Sequence, residues 1–92
     1  MEKATAKVAD PVGFHLRAAG RIVKLAKTFQ AEVTIRFNGR VANAKSIMGL
    51  ASLAAEYGAE VEIACDGPDE DHAIARLVQL ISVDLAHPEE GA

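Results

Sequence analysis

Ninety-two residues with a formal net charge of −3 suffice for one domain and exclude two. Half of the residues are hydrophobic, yet only 4% are aromatic and none is Trp, so the core must be small, aliphatic and rich in Ala. The acidic balance argues against a general nucleic-acid binder, the lone Cys65 excludes an internal disulfide and fits a core thiol in an intracellular protein, and the chain has neither an apolar leader nor the ~20 apolar residues of a membrane span.

Ala4 to Ala9 alternates weakly around Ala6 and Val8 and reads as a first strand. Asp10-Pro11 breaks it, and Gly13 permits a tight turn. From Arg17 to Phe29 the period becomes helical, with Ala18, Ile22, Leu25, Ala26 and Phe29 on one face. Arg17, Arg21, Lys24 and Thr28 fall on another stripe with Lys27 beside it, so a basic flank begins next to His15. Glu32–Phe37 is a strand that places Val33, Ile35 and Phe37 on one face. Asn38-Gly39 is a two-residue hairpin signal, because both positions favour positive φ, and Arg40–Asn43 is the return strand. Ser46 is the expected N-cap of a short helix running to about Glu56, with Gly58 as its left-handed cap. Glu60–Cys65 alternates as a half-buried strand, and Asp66-Gly67-Pro68 is a turn. Asp69, Glu70 and Asp71 place negative charge at the start of a last helix, whose expected apolar face is Ile74, Leu77, Val78, Ile81 and Leu85. One domain over 1–88 and a polar tail over 89–92 complete the chain. The order predicts an α+β fold, an antiparallel four-stranded sheet with helices on one face. The pattern leaves the strand order open, and a ferredoxin-like arrangement suits it as well.

His15 stands between a Gly-containing turn and a helix start. The first N–H groups of a helix lack internal acceptors and form an anion site. The positive end of the helix also disfavours a cationic ring, which leaves one imidazole nitrogen free as a nucleophile. Arg17, two residues on, can grip phosphate oxygens through its planar fork. Nucleophile, anion cradle and cation are what reversible phosphoryl transfer to a side chain requires, although Arg17 as a solvated helix residue is an equal reading of the pattern. Ser46 reads first as a helix cap; a phosphate there would also be accepted electrostatically. In the helix that follows, Ile47, Leu50, Leu53 and Ala54 can face inward, while Met48, Ala51, Ser52 and Ala55 form a second stripe suited to transient docking. His72 and His87 look incidental. No metal-ligand spacing, P-loop, dinucleotide fingerprint or nucleophile elbow is present, so no metal or cofactor is expected.

Gly13-Phe14-His15-Leu16-Arg17 resembles the active-site motif of the HPr family, the histidine-containing phosphocarriers of the bacterial phosphoenolpyruvate-dependent phosphotransferase system. Asn43-Ala44-Lys45-Ser46-Ile47-Met48-Gly49-Leu50 resembles the family's regulatory serine motif, and Asp66-Gly67-Pro68-Asp69-Glu70-Asp71 its stretch before the last helix. The resemblance covers nearly the whole chain. It implies an open-faced β-sandwich with strand order 1-4-2-3 and three helices on one face. It implies that Enzyme I phosphorylates His15 on Nδ1, that Arg17 steadies the phosphohistidine, and that an enzyme II A component receives the group. It further implies regulation at Ser46 by an HPr kinase/phosphorylase, and docking through Leu16, Gly20, Lys24, Lys27, Lys45, Ile47, Met48 and Ala51. The implied protein is a cytoplasmic monomer, a carrier rather than an enzyme, with no nucleic-acid partner and no membrane insertion. Two positions depart from the family pattern: Leu16 replaces a small residue and Ala18 replaces Pro. A mainly regulatory or nitrogen-type relay without sugar transport, and a ferredoxin-like metabolite-binding domain without covalent chemistry, are the competing functions.

Overall fold

The computed structural model describes residues 1–87. The elements are β1 (Glu2–Lys7), α1 (Leu16–Ala26), β2 (Glu32–Phe37), β3 (Arg40–Asn43), α2 (Ile47–Ser52), β4 (Glu60–Asp66) and α3 (Glu70–Ser82), followed by a 3-10 turn at Asp84–Ala86. All strand pairs are antiparallel and the sheet order is β1-β4-β2-β3, which settles the order that the pattern left open. The expected tail at 89–92 and the domain boundary at 88 lie outside the described residues.

Strand alternation divides the sheet into two faces. Ala6, Val33, Ile35, Ala42, Val61, Ile63 and Cys65 turn inward and are buried under the helices. The outer face carries opposite-charge neighbours in register, Lys7 with Glu60 and Arg36 with Glu62. Asn38 and Gly39 both adopt positive φ (53° and 79°), so the β2–β3 hairpin forms at the expected dipeptide. The helices cover the inner face with Ile22, Leu50, Leu77 and Ile81, all fully buried.

Four expectations are corrected. β1 begins at Glu2 and ends at Lys7, because Val8 leaves the ladder to bond Ala59 and Gly58 in the turn before β4 (2.8 Å each). α1 ends at Ala26, and Phe29 is buried beyond it. α2 stops at Ser52 rather than near Glu56, and Ala54, not Gly58, makes the first left-handed turn (φ 55°). In consequence Ala54 is exposed and Ala55 is buried, the reverse of their expected faces, and Ile47 at the helix start is exposed as well. α3 buries Ala73, Leu77, Leu80 and Ile81; Ile74 and Val78 are only half-buried, and Leu85 enters the core from the 3-10 turn.

The segment after α1 is pinned by polar contacts distant in sequence. The Asp69 carboxylate accepts the N–H groups of Gln30 (2.8 Å) and Ala31 (2.9 Å). Gly67 presses on the same segment, where a Cβ would lie 2.5 Å from Ala31 Cα. The Gln30 N–H, aided by that of Ala31 and by the nearby Lys45 charge, holds the Asp69 carboxyl below its ordinary range. The Gly67 N–H, with the Met1 ammonium, does the same for Glu70. A carboxyl with a lowered folded-state pKa stabilises the fold above its unfolded pKa of about 4, and that contribution disappears as pH falls through the folded value. Asp69→Asn is therefore expected to melt lower at neutral pH and to lose less of its melting temperature between about pH 5 and pH 3. Parallel melting curves for the two proteins across that range would contradict this account.

Candidate functional site

The loop between β1 and α1 is built around Asp10. Its carboxylate Oδ1 accepts the Val12 N–H (2.8 Å) and its carbonyl accepts the Gly13 N–H (3.0 Å), closing a tight turn. Gly13 is left-handed (φ 87°), and a Cβ on it would lie 2.4 Å from the Ala55 carbonyl oxygen. The Phe14 N–H donates to that same oxygen at 2.8 Å, and the Phe14 ring is buried. The loop is thereby fixed to the segment that leaves α2.

His15 follows as the N-cap residue of α1, in extended conformation (φ −82°, ψ 178°). Its carbonyl accepts the Ala19 N–H at 2.9 Å, but its side chain does not cap the helix. The helix start is thus left for an anion. The ring is one-third exposed (32%), with Nε2 lying 3.3 Å from Asp10 Oδ1 and 3.4 Å from Oδ2. Nδ1 has no hydrogen-bond partner among the described residues. Asp10 is 7% exposed and is the one buried charged side chain among the described residues. By sequence alone Asp10 is only a strand breaker. An Asp two residues before a required N–H is the signal of the turn it makes. The carboxylate also places a negative charge against the ring, a neighbour that the sequence pattern does not indicate.

Arg17 is exposed on the first turn of α1 and makes no hydrogen bond or ion pair among the described residues. Leu16 (62% exposed), Met48 (73%) and Ile47 (42%) add apolar surface on α1 and α2, which pack against one another. Ala51 is half-buried in α2, Lys24 is exposed on α1 and Lys27 is exposed at its C-cap. Gly20 faces open space, so packing does not require its lack of a side chain. Lys45 and Arg21 bond to the frame. Lys45 Nζ donates to the Phe29 carbonyl (2.9 Å), and Arg21 donates to the carbonyls of His87 (2.7 Å) and Asp84 (3.3 Å). Lys45, which the motif implies as a docking residue, is half-buried and also ties its ammonium to the turn after α1.

Ser46 is the N-cap of α2: its Oγ accepts the Gly49 N–H at 3.0 Å and its carbonyl accepts the Leu50 N–H at 3.0 Å. His72 packs edge-on against Phe29, and burial pushes the Cys65 thiol up to about 11, which keeps it inert. Glu2, Glu70 and Asp71 bring carboxylate oxygens within 4.8 Å of one another, but the Met1 ammonium lies 3.0 Å from Glu70. A groove of about 280 Å³ between α1 and α3 is lined by residues that do not include His15. No helix among the described residues is long and apolar enough to cross a membrane.

The family described as "PTS HPr component phosphorylation site" matches residues 2–82. The phosphocarrier protein HPr of Cupriavidus necator is 41% identical over 75 residues, which cover 82% of this chain and 84% of that protein. The crystal structure of HPr-C-His from Thermoanaerobacter tengcongensis superposes with a TM-score of 0.88 at 32% identity, covering 97% of this chain and all of that one. The HPr dimer structure from the same organism matches with a TM-score of 0.73 at 33% identity, over 95% of this chain and all of that one.

Gly13 is where the site has least tolerance, since an added methyl group meets a backbone oxygen in a left-handed conformation. Gly13→Ala should destabilise the fold by roughly 1–3 kcal/mol, with amide shifts concentrated at Phe14, His15 and Ala55. An unchanged melting temperature and unperturbed amides at those positions would show that the loop has freedom the geometry denies.

Proposed function

The chain belongs to the HPr family of phosphocarriers in the phosphotransferase system, and from that membership we propose that it takes a phosphoryl group from phospho-Enzyme I on Nδ1 of His15 and passes it to an enzyme II A component. The observation that carries this reading is the uncapped start of α1, where His15 keeps Nδ1 unengaged beside the exposed Arg17. The protein is a carrier and not an enzyme in its own right, because the histidine that receives the group is also the one that surrenders it. It works as a cytoplasmic monomer without metal or cofactor. Its partners dock on α1 and α2 through Leu16, Gly20, Lys24, Lys27, Lys45, Ile47, Met48 and Ala51, and Lys45 also bonds the Phe29 carbonyl in the turn after α1.

Ser46 is the regulatory position in this reading, phosphorylated by an HPr kinase/phosphorylase. It already caps α2, so a phosphate would meet the positive end of a helix and leave the fold in place. The added charge of about −1.5 to −2 would instead lie beside Ile47 and Met48 and oppose an acidic partner.

His15→Ala should hold its circular dichroism spectrum and accept no phosphate from phosphoenolpyruvate and Enzyme I. Arg17→Ala should still accept it, slower by roughly ten- to a hundredfold, since a charge-assisted hydrogen bond contributes about 1.5–3 kcal/mol. Phosphate on the His15 variant, or full speed in the Arg17 variant, would remove that residue from the site.

Ser46→Asp should lower the rate at which Enzyme I phosphorylates His15, while the melting temperature stays level or rises slightly. Transfer at the wild-type rate in a normally folded variant would return Ser46 to a capping role alone.

A further inference from the structure

We infer that Asp10 is the positioning residue that decides which nitrogen of His15 takes the phosphoryl group, and that its carboxylate balances the charge of the phosphorylated ring. The inference rests on His15 as the acceptor. It begins from the burial of Asp10 and the rigidity of its turn: the Val12 N–H holds Oδ1 at 2.8 Å, and the Gly13 N–H holds the Asp10 carbonyl at 3.0 Å. An ionised carboxylate offers only lone pairs, so the ring must present Nε2–H to it. A neutral imidazole has one such proton, which leaves Nδ1 with the reactive lone pair. Nε2 is also closed to an incoming phosphoryl group, because two carboxylate oxygens stand 3.3 and 3.4 Å away and repel another anion. Nδ1 faces no such barrier.

The transfer then balances without moving a proton on His15. The Nδ1 lone pair forms the new N–P bond, and the bond between phosphorus and the donor breaks with its electron pair returning to the donor. The ring keeps its proton on Nε2 and becomes cationic against the Asp10 carboxylate. Onward transfer reverses this: the N–P pair returns to Nδ1 and the ring is neutral again. The contacts at 3.3–3.4 Å are long for a hydrogen bond in the resting ring and shorten as positive charge develops.

The test uses phosphoramidate, a small phosphoryl donor that needs no docking surface, on the full chain, with the phosphorylated nitrogen read by ³¹P and ¹⁵N NMR at alkaline pH. Wild type should carry phosphate on Nδ1 alone. Asp10→Ala should carry it on both nitrogens, because Nε2 is opened and its proton no longer held. Asp10→Asn keeps the shape and one acceptor oxygen, so it should retain Nδ1 selectivity and react on the order of tenfold more slowly for want of the charge. A folded Asp10→Ala protein phosphorylated only on Nδ1 would overturn the positioning role. Should that variant not fold, Asp10→Asn at the wild-type rate would overturn the charge role. Wild type that takes no phosphate on His15 would overturn the acceptor reading itself, and the inference with it.

Discussion

The hydrogen bond from Phe14 N–H to the Ala55 carbonyl is the contact around which the site is arranged. It joins a loop near the chain's start to a segment some forty residues on. Gly13 can approach that carbonyl only because it has no Cβ. The same contact explains why α2 is short. Ala55 must leave the helix to offer its oxygen to Phe14, and the chain turns left-handed at Ala54 to do so. The start of α1, which follows His15, is thereby fixed to the segment that leaves α2, the helix capped by Ser46.

Around that junction the polar side chains divide between frame and surface. Asp69, Lys45 and Arg21 all reach backbone groups far away in sequence and close the ends of helices or loops. Such contacts satisfy backbone atoms that have no partner in their own element. Arg17 and Lys27 stay at the surface, as do the apolar side chains of Leu16, Ile47 and Met48.

Asp10 stands apart from both groups. A buried carboxylate is unfavourable unless it is bonded, and here an amide and an imidazole share it. Its turn gives the loop before α1 its shape, and its oxygens face Nε2 of the ring. Structure and chemistry therefore meet in one side chain that charge counting along the sequence would treat as ordinary.

Local features were legible in the sequence. Asn38-Gly39 set the hairpin because positive φ at two successive positions is a property of those residues themselves. The bounds of β2 and β3, the Ser46 cap and the position of His15 before α1 follow from neighbours within a few residues. The tertiary structure decided what depended on distant partners. The true end of α2, the inward turn of Ala55, the exposure of Ile47 and the engagement of Lys45 with Phe29 all answer to residues far along the chain. Hydrophobic period reports one element's own preference, and an apolar residue such as Ile47 satisfies that period whether or not anything covers it. The meeting of Asp10 with His15 is close in sequence yet was equally hidden, because it exists only once Gly13 is held left-handed against the Ala55 carbonyl.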